Sequence, residues 1–214
     1  MTLSEYHSKF PGSVRWRVTG RGIDVEDVGP LDCNIQMYNR AKALCTKHAQ
    51  AFAASSVTHQ VPVELLMACA LTESAAKDPE TCVREEPGFI SDEKTPARIS
   101  AGLCQLLIST ARSIMKDPRI DRAWLFNPAN SINACAAYIK ANHDARGTDW
   151  DPIYAACAYN AGGLYENQGE TNRWKLRQYP IGTSNHADRF AGYFAAARQL
   201  VDGGLFKEGT AVIF

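Results

Sequence analysis

The stretch Glu64-Leu65-Leu66-Met67-Ala68-Cys69-Ala70-Leu71-Thr72-Glu73-Ser74 is apolar without a break from residue 65 to residue 71. A helix formed by it would be apolar on every face, which is typical of a helix inside a domain, and the run is far too short to span a bilayer. This helix would end at a carboxylic acid, Glu73. Apolar surroundings penalise the charged form of a carboxyl group and raise its pKa, so Glu73 can serve as a general acid near neutral pH. The alternative is a glutamate at a frayed helix end that points into water.

Size and composition favour one substantial globular domain. The chain has 214 residues, of which 45% are hydrophobic, and this is enough for a large core. Its 23 basic residues balance 23 acidic ones, which argues against an overall charge that attracts nucleic acid or an anionic membrane. Residues 1–10 lack the basic start and apolar core of a secretory signal peptide, and no run has the length of a transmembrane helix. We therefore expect a protein that stays in the cytoplasm or leaves it by a route that reads no cleavable signal.

The seven cysteines point to no metal site. There is no C-x-x-C pair and the five histidines are scattered, so we predict no zinc site, no other metal and no cofactor. Cys69, Cys135 and Cys157 lie in alanine-rich helical patterns and are expected to be small buried hydrophobic residues. We predict reduced thiols, although a disulfide among Cys33, Cys45 and Cys82 stays open.

The N-terminal region differs from the rest of the chain. Between residues 13 and 28, apolar and charged residues alternate on both sides of the turn Thr19-Gly20-Arg21-Gly22, and this pattern predicts a β-hairpin. An isolated hairpin is only marginally stable in water, so it must pack on the main body or on a partner. We therefore divide the chain into an extension over 1–31 and a main domain over 32–214.

Helical periodicity dominates after residue 32. An apolar stripe from Met37 to Phe52 predicts one helix that ends at Ser55-Ser56, and the Glu73 helix follows it. Residues 75–99 are polar and rich in proline, which predicts a long loop. Ser109 is the expected N-cap of a helix over 110–116.

Three more helices are predicted in the C-terminal half. The first follows the turn Asn127-Pro128 and has Asn130 or Ser131 as its cap. The second is opened by Asp151-Pro152 and stopped by Gly162-Gly163. A loop over 164–185 separates it from the last helix, which ends at Gly203-Gly204. The fold class is therefore α+β and predominantly α, with a small N-terminal β-hairpin.

Three polar motifs occur in a fixed order along the chain. They are Glu73-Ser74, then Ser100-x-Gly102-Leu103-Cys104-Gln105, then Ala158-Tyr159-Asn160-Ala161-Gly162. This ordered set resembles the lytic transglycosylases of the SLT type, which are related to goose-type lysozymes, and the resemblance covers roughly residues 60–200. The chain departs from the family's usual residues at positions that set packing: Cys104, Ile108, Ser131 and Cys135. The segment Val83 to Phe89 looks like an insertion found in some members.

The resemblance implies a lysozyme-like helical domain that cleaves the β-1,4 bond between N-acetylmuramic acid (MurNAc) and N-acetylglucosamine (GlcNAc) in peptidoglycan. Glu73 would be the single general acid and base, and the products would carry 1,6-anhydroMurNAc ends. The residues that would line the sugar site are Ser74, Ser100, Gln105, Tyr159 and Asn160. The family pattern places the Tyr159 hydroxyl near Glu73 and gives Gln105 a hydrogen bond to the substrate.

Two alternatives are open at this point. A carboxylate of the acidic loop (Glu85, Glu86, Asp92 or Glu93, with Glu86 and Asp92 favoured) could activate a water molecule and make the protein a goose-lysozyme-like muramidase. The chain could instead be a structural component of a phage tail or a secretion machine, with the hairpin contacting the neighbouring proteins. The cell wall lies outside the cytoplasm, so we expect an enzyme that is associated with a virion, released as an endolysin is, or exported by a route that needs no signal peptide.

Overall fold

The computed structural model of the protein describes residues 2–74, 78–207 and 209–214. In these residues the helices are α1 Ile35–Lys47, α2 Ala49–His59, α3 Val63–Glu73, α4 Ile108–Met115, α5 Arg122–Phe126, α6 Pro128–Arg146, α7 Pro152–Ala161 and α8 Asn185–Asp202. The strands are β1 Trp16–Thr19, β2 Gly22–Val25, β3 Gly29–Pro30, β4 Val83–Glu85, β5 Ile99–Ala101 and β6 Leu106–Leu107. The prediction of an α+β, predominantly α fold is confirmed.

The central helix is α3, which lies against α1, α2, α6, α7 and α8. Every residue from Val63 to Thr72 is buried, as a helix without a polar face requires. Full burial of a leucine-sized side chain contributes about 1.5–3 kcal/mol, so this helix is a major source of stability. Glu64, the charged residue within it, is satisfied by an ion pair with Arg198 at 2.9 Å and by the backbone N–H of Phe214.

The predicted hairpin is present and packs on the helical body. Strands β1 and β2 pair antiparallel, with Trp16 opposite Val25, and β3 adds a short third strand. Gly22 lies against Ala195 of α8, where an added Cβ would approach to 3.1 Å. Trp16 is completely buried and belongs to the same hydrophobic core as the helices. The domain boundary at residue 31 stays a prediction.

A buried polar cluster joins this hairpin to α7. The Trp16 indole N–H donates to Asp151 Oδ2 at 2.8 Å, and His7 Nε2 lies 2.9 Å from the same oxygen. The other oxygen, Oδ1, accepts the backbone N–H of Tyr154 at 2.9 Å and so caps α7. One completely buried carboxylate therefore starts a helix and fixes the N-terminal sheet beside it.

The helix predicted from residue 32 to Ser55-Ser56 is in fact two helices. The chain leaves helical geometry at His48 (φ −113°, ψ 18°), which ends α1 and precedes α2. His48 Nε2 lies 3.0 Å from Glu80 Oε1, a contact that local periodicity cannot predict. The end at Ser55-Ser56 is also wrong, since α2 continues to His59 and Ser56 Oγ donates to the Val61 carbonyl instead.

Two predicted helix starts are wrong as well. Strand β6 leads directly into α4, so Leu107 precedes the helix and Ser109 lies inside it. Helix α6 begins at Pro128, because the Asn127 side chain already accepts the N–H of Ala129 at 2.9 Å. Ser131, one of the two predicted caps, lies inside the helix instead, and its hydroxyl accepts a hydrogen bond from the backbone N–H of Cys104 at 3.1 Å.

The predicted loop over 75–99 contains regular structure. Strand β4 pairs antiparallel with β5, and β5 pairs with β6, to form a second small sheet. A 3-10 helix covers Pro96–Arg98. The short edge strand β4 is largely exposed, so it has no buried alternating pattern from which it could be predicted. Residues 75–77 of this prediction lie outside the described residues.

Across the described parts of the chain, we find no helix with both the length and the apolar character needed to cross a bilayer. All seven cysteines are free thiols. Cys33 and Cys82 are partly accessible and the other five are buried.

Candidate active site

Glu73 is the last residue of α3, where the buried helix reaches the surface. Only 18% of its side chain is exposed. Burial raises the pKa of Glu73 from 4.5 to about 7, although the positive charges of Arg189 and Arg84 act in the opposite direction. Both forms of the carboxyl group are therefore populated near neutral pH, as a group that gives and takes a proton in one cycle requires.

His186 lies beside this carboxyl group. Its Nε2 atom is 3.6 Å from Glu73 Oε1, and the side chain is 3% exposed. Burial lowers the pKa of His186 to about 3, and the charge of Arg189 adds to this effect. The imidazole is thus neutral over the pH range in which Glu73 titrates. It contacts the Glu73 carboxyl group without supplying a positive charge that would stabilise the carboxylate form. Sequence patterns do not reveal His186, because a single histidine in the first turn of α8 has no characteristic spacing.

Tyr159 of α7 is buried and lies close enough to Glu73 for the charge of that carboxyl group to affect its pKa. Its hydroxyl donates to the Cys104 carbonyl at 2.8 Å, and its ring packs edge-on against Tyr138 at 5.3 Å. Burial raises the pKa of Tyr159 well above its usual range, and the nearby charge of Glu73 contributes. The phenol therefore remains a neutral donor. A direct role of this hydroxyl toward Glu73 stays a prediction, because its hydrogen bond goes to the backbone.

Ser100 lies in β5 and Gln105 lies in the turn between β5 and β6, and their side chains are in contact. The Gln105 amide donates to the carbonyls of Cys82 at 3.0 Å and Gly102 at 2.9 Å, while its oxygen accepts the Ser100 hydroxyl at 3.2 Å. The side chain thus fixes the turn next to the site. A hydrogen bond from Gln105 to substrate stays a prediction.

Gly102 is required by this turn. Its φ is +73°, and an added Cβ would lie 2.0 Å from the carbonyl oxygen of Leu125. An L side chain is therefore excluded both by conformation and by space. The close approach of this turn to the end of α5 therefore explains why the second motif has a glycine at position 102.

Ser74 and Asn160 also bond to the protein. Ser74 is buried, and its hydroxyl lies 3.5 Å from the Leu71 carbonyl at the end of α3. Asn160 Oδ1 accepts the backbone N–H of Tyr179 at 2.6 Å and ties the end of α7 to the 164–185 segment. Ser74 thus bonds to the end of α3 beside Glu73, and Asn160 stabilises the end of α7. Contact of either residue with substrate stays a prediction.

The two candidate loop carboxylates have different surroundings. Asp92 is buried and pairs with Arg122 at 2.7 Å, and it also accepts the Arg122 backbone N–H at 3.0 Å. The hydrogen bond from Arg122 holds the pKa of Asp92 below its usual range. Glu86 is exposed, and its backbone N–H donates to the Arg98 carbonyl. Asp92 thus anchors the loop to the start of α5.

Comparison with known protein families identifies the family of this chain. The family model described as the transglycosylase SLT domain matches residues 50–184. The chain belongs to this family. The matched region includes Glu73, the Ser100 to Gln105 turn and the Tyr159 motif, and it ends just before His186. A search of curated proteins finds no match.

Membership of the SLT family confirms the resemblance found in the sequence. It supports lytic transglycosylase activity with peptidoglycan as the substrate. It does not extend to a phage or secretion-machine setting, which stays a prediction.

Proposed function

We propose that this SLT-family protein cleaves the bond between MurNAc and GlcNAc in peptidoglycan and leaves 1,6-anhydroMurNAc ends. The observation that carries the proposal is the position of Glu73, which lies mostly buried at the end of a buried helix inside the family match. Burial there raises the pKa of this carboxyl group to about 7. A carboxyl group with this pKa can protonate a leaving group and then accept a proton at the same pH.

The reaction needs one carboxyl group and no water. Glu73 donates its proton to the glycosidic oxygen of the departing GlcNAc as the bond from that oxygen to C1 breaks. The resulting carboxylate takes the proton of the MurNAc C6 hydroxyl while O6 bonds to C1. Glu73 is protonated again at the end of the cycle. The nucleophile belongs to the substrate, so its effective concentration is high and no second carboxylate is required.

The surroundings of Glu73 support this assignment. His186 is neutral and 3.6 Å from the carboxyl group, so it does not form an ion pair that would hold Glu73 as a carboxylate. Tyr159, Gln105 and Ser100 would shape the sugar site, as would Ser74 and Asn160 at the neighbouring helix ends. Their polar groups are hydrogen-bonded within the protein, which favours fixed positioning of the substrate.

The muramidase alternative requires a second carboxylate that activates water. Asp92 is bound by Arg122 through both oxygens, which disfavours it for this role. Of the two favoured carboxylates, Glu86 is exposed and remains the candidate. Mass spectrometry of digested peptidoglycan distinguishes the reactions, since an anhydro end is lighter than a reducing end by one water molecule.

The decisive experiment is digestion in water labelled with heavy oxygen. We expect anhydro products without label, and no products from the Glu73→Gln variant. Labelled reducing ends that disappear in Glu86→Gln would establish the muramidase instead. Binding of peptidoglycan without any cleavage by the wild-type protein would favour the structural role. The site of action, the cell wall, follows from the substrate, whereas export or release with a virion stays a prediction.

A further inference from the structure

A cavity of about 370 Å³ lies between α4 and α6, and we refer to it as the α4–α6 cavity. Its polar lining consists of Ser109, Thr110, Ser113, Tyr138, Asn142 and Arg146. Neither the motifs nor the proposed reaction uses these side chains.

One lining residue of the cavity, Tyr138, contacts a residue of the candidate active site. Tyr138, Asn142 and Arg146 are spaced by four residues on α6 and therefore share one face of that helix. The Tyr138 ring contacts Tyr159, whose ring centre is 5.3 Å away. The cavity thus extends along α6 from Tyr138, beside Tyr159, toward the C-terminal end of the helix.

The lining of the cavity offers hydrogen-bond donors and a positive charge. The Asn142 residue is 3% exposed, and its amide nitrogen has no hydrogen-bond partner within 3.5 Å among the described residues. The polar group that it affects is the Tyr138 hydroxyl, whose pKa it lowers against the larger effect of burial. A buried donor of this kind costs free energy unless a ligand satisfies it. No carboxylate is among the lining residues, so the chemistry of the cavity favours an anion that accepts hydrogen bonds.

Arg146 supplies the charge at the far end. Its guanidinium forms no ion pair with any residue that the structure describes. Gly163 makes room for it, because an added Cβ there would lie 2.7 Å from Arg146 Nη1 and 2.9 Å from the Tyr165 ring. A guanidinium beside amide and hydroxyl donors matches the two oxygens of a carboxylate.

We infer that the α4–α6 cavity binds a carboxylate of the peptide stem that peptidoglycan carries on MurNAc. The inference rests on the proposed function for the identity of the substrate. GlcNAc is neutral, whereas stem peptides carry free carboxylates next to amide groups. Arg146 and Asn142 bind the carboxylate, and the serine and threonine hydroxyls of α4 meet the peptide. The enzyme therefore distinguishes peptide-bearing strands from bare glycan.

A binding experiment tests the cavity without requiring catalysis. The Glu73→Gln protein is titrated with three probes: a muramyl tripeptide, the same tripeptide with its carboxyl groups amidated, and MurNAc without peptide. We expect the tripeptide to bind about tenfold more tightly than its amidated form, because a charged hydrogen-bonded pair is lost in the latter. Equal binding of these two probes would overturn the inference. If MurNAc binds as tightly as the tripeptide, its own lactyl carboxylate is the ligand and the assignment to the stem is wrong.

Two second-site variants localise the effect. Arg146→Gln in the Glu73→Gln protein should abolish the tenfold preference, and its exposed position makes it compatible with folding. Lys140→Gln removes the same charge from the opposite face of α6, where Lys140 pairs with Asp144, and should retain the preference. A preference that survives Arg146→Gln, or that Lys140→Gln abolishes equally, contradicts binding in this cavity.

Cleavage assays separate this inference from the proposed function. A wild-type enzyme that cuts intact and peptide-stripped strands at the same rate refutes the stem preference, while the transglycosylase assignment stands. A wild-type protein that cuts neither substrate, with the probe preference preserved, refutes the assignment and leaves the cavity as an anion site for the muramyl peptide.

Discussion

Glu73→Gln should make the protein more stable at alkaline pH although it removes the catalytic acid. Burial raises the pKa of Glu73 from 4.5 to about 7, so the folded state holds this proton more tightly than the unfolded state does. Stability therefore falls as pH rises from 4.5 through 7 and stays lower above it. A neutral glutamine avoids this loss.

The expected magnitude follows from the pKa change. A rise from 4.5 to about 7 corresponds to about 3.4 kcal/mol at 1.36 kcal/mol per pKa unit. With 18% of the side chain in contact with solvent, screening reduces the expected difference to about 2–3 kcal/mol. The difference between variant and wild type should thus approach about 2–3 kcal/mol at pH 8.5 and be absent at pH 4.

Urea denaturation of both proteins between pH 4 and 8.5 measures this difference directly. Glu86→Gln is the matched control, because this exposed acid should change the free energy of unfolding by less than about 0.5 kcal/mol at each pH. If the Glu73→Gln difference does not vary with pH, or Glu86→Gln gives the same profile, then Glu73 is not held in the low-polarity environment from which its catalytic role is argued.

Three further predictions address the acid, the turn and the N-terminal sheet. Cleavage by the wild-type enzyme should decline as pH rises through about 7, because the proton of Glu73 is lost there; initial rates across pH test this, and an unchanged rate up to pH 9 would exclude Glu73 as the acid. Gly102→Ala should lower the melting temperature and the cleavage rate together, because its Cβ would lie 2.0 Å from the Leu125 carbonyl oxygen. Gly147→Ala is the control, because Gly147 also has a positive φ but an added Cβ there would meet no atom within 4 Å. It should lower the melting temperature less. Asp151→Ala should destabilise the fold by about 3–5 kcal/mol, because it removes the cap of α7 and leaves His7 and the Trp16 indole buried without their partner. Urea denaturation measures this change. A decrease in the free energy of unfolding below about 1 kcal/mol would mean that the cluster contributes little.

Local chemistry explains why some elements could be predicted. Asp151-Pro152 and Gly162 act within one helical turn, so the bounds of α7 follow from the residues themselves. The hairpin strands alternate around a short turn, and this pattern is also local. The corrected elements depend on distant partners. His48 meets Glu80 where α1 ends, and β4 is a strand because β5 lies beside it.

The sequence by itself determined the buried helix that ends at Glu73, the order of the three motifs and, through them, the family. These features depend on residue type and spacing along the chain, which need no knowledge of contacts. Tertiary structure alone placed His186 next to Glu73, directed the Gln105 amide to backbone carbonyls and bound Asp92 to Arg122. The physical reason is that a pKa and a hydrogen-bond partner depend on which groups lie within a few ångströms, and folding brings together groups that are far apart in sequence.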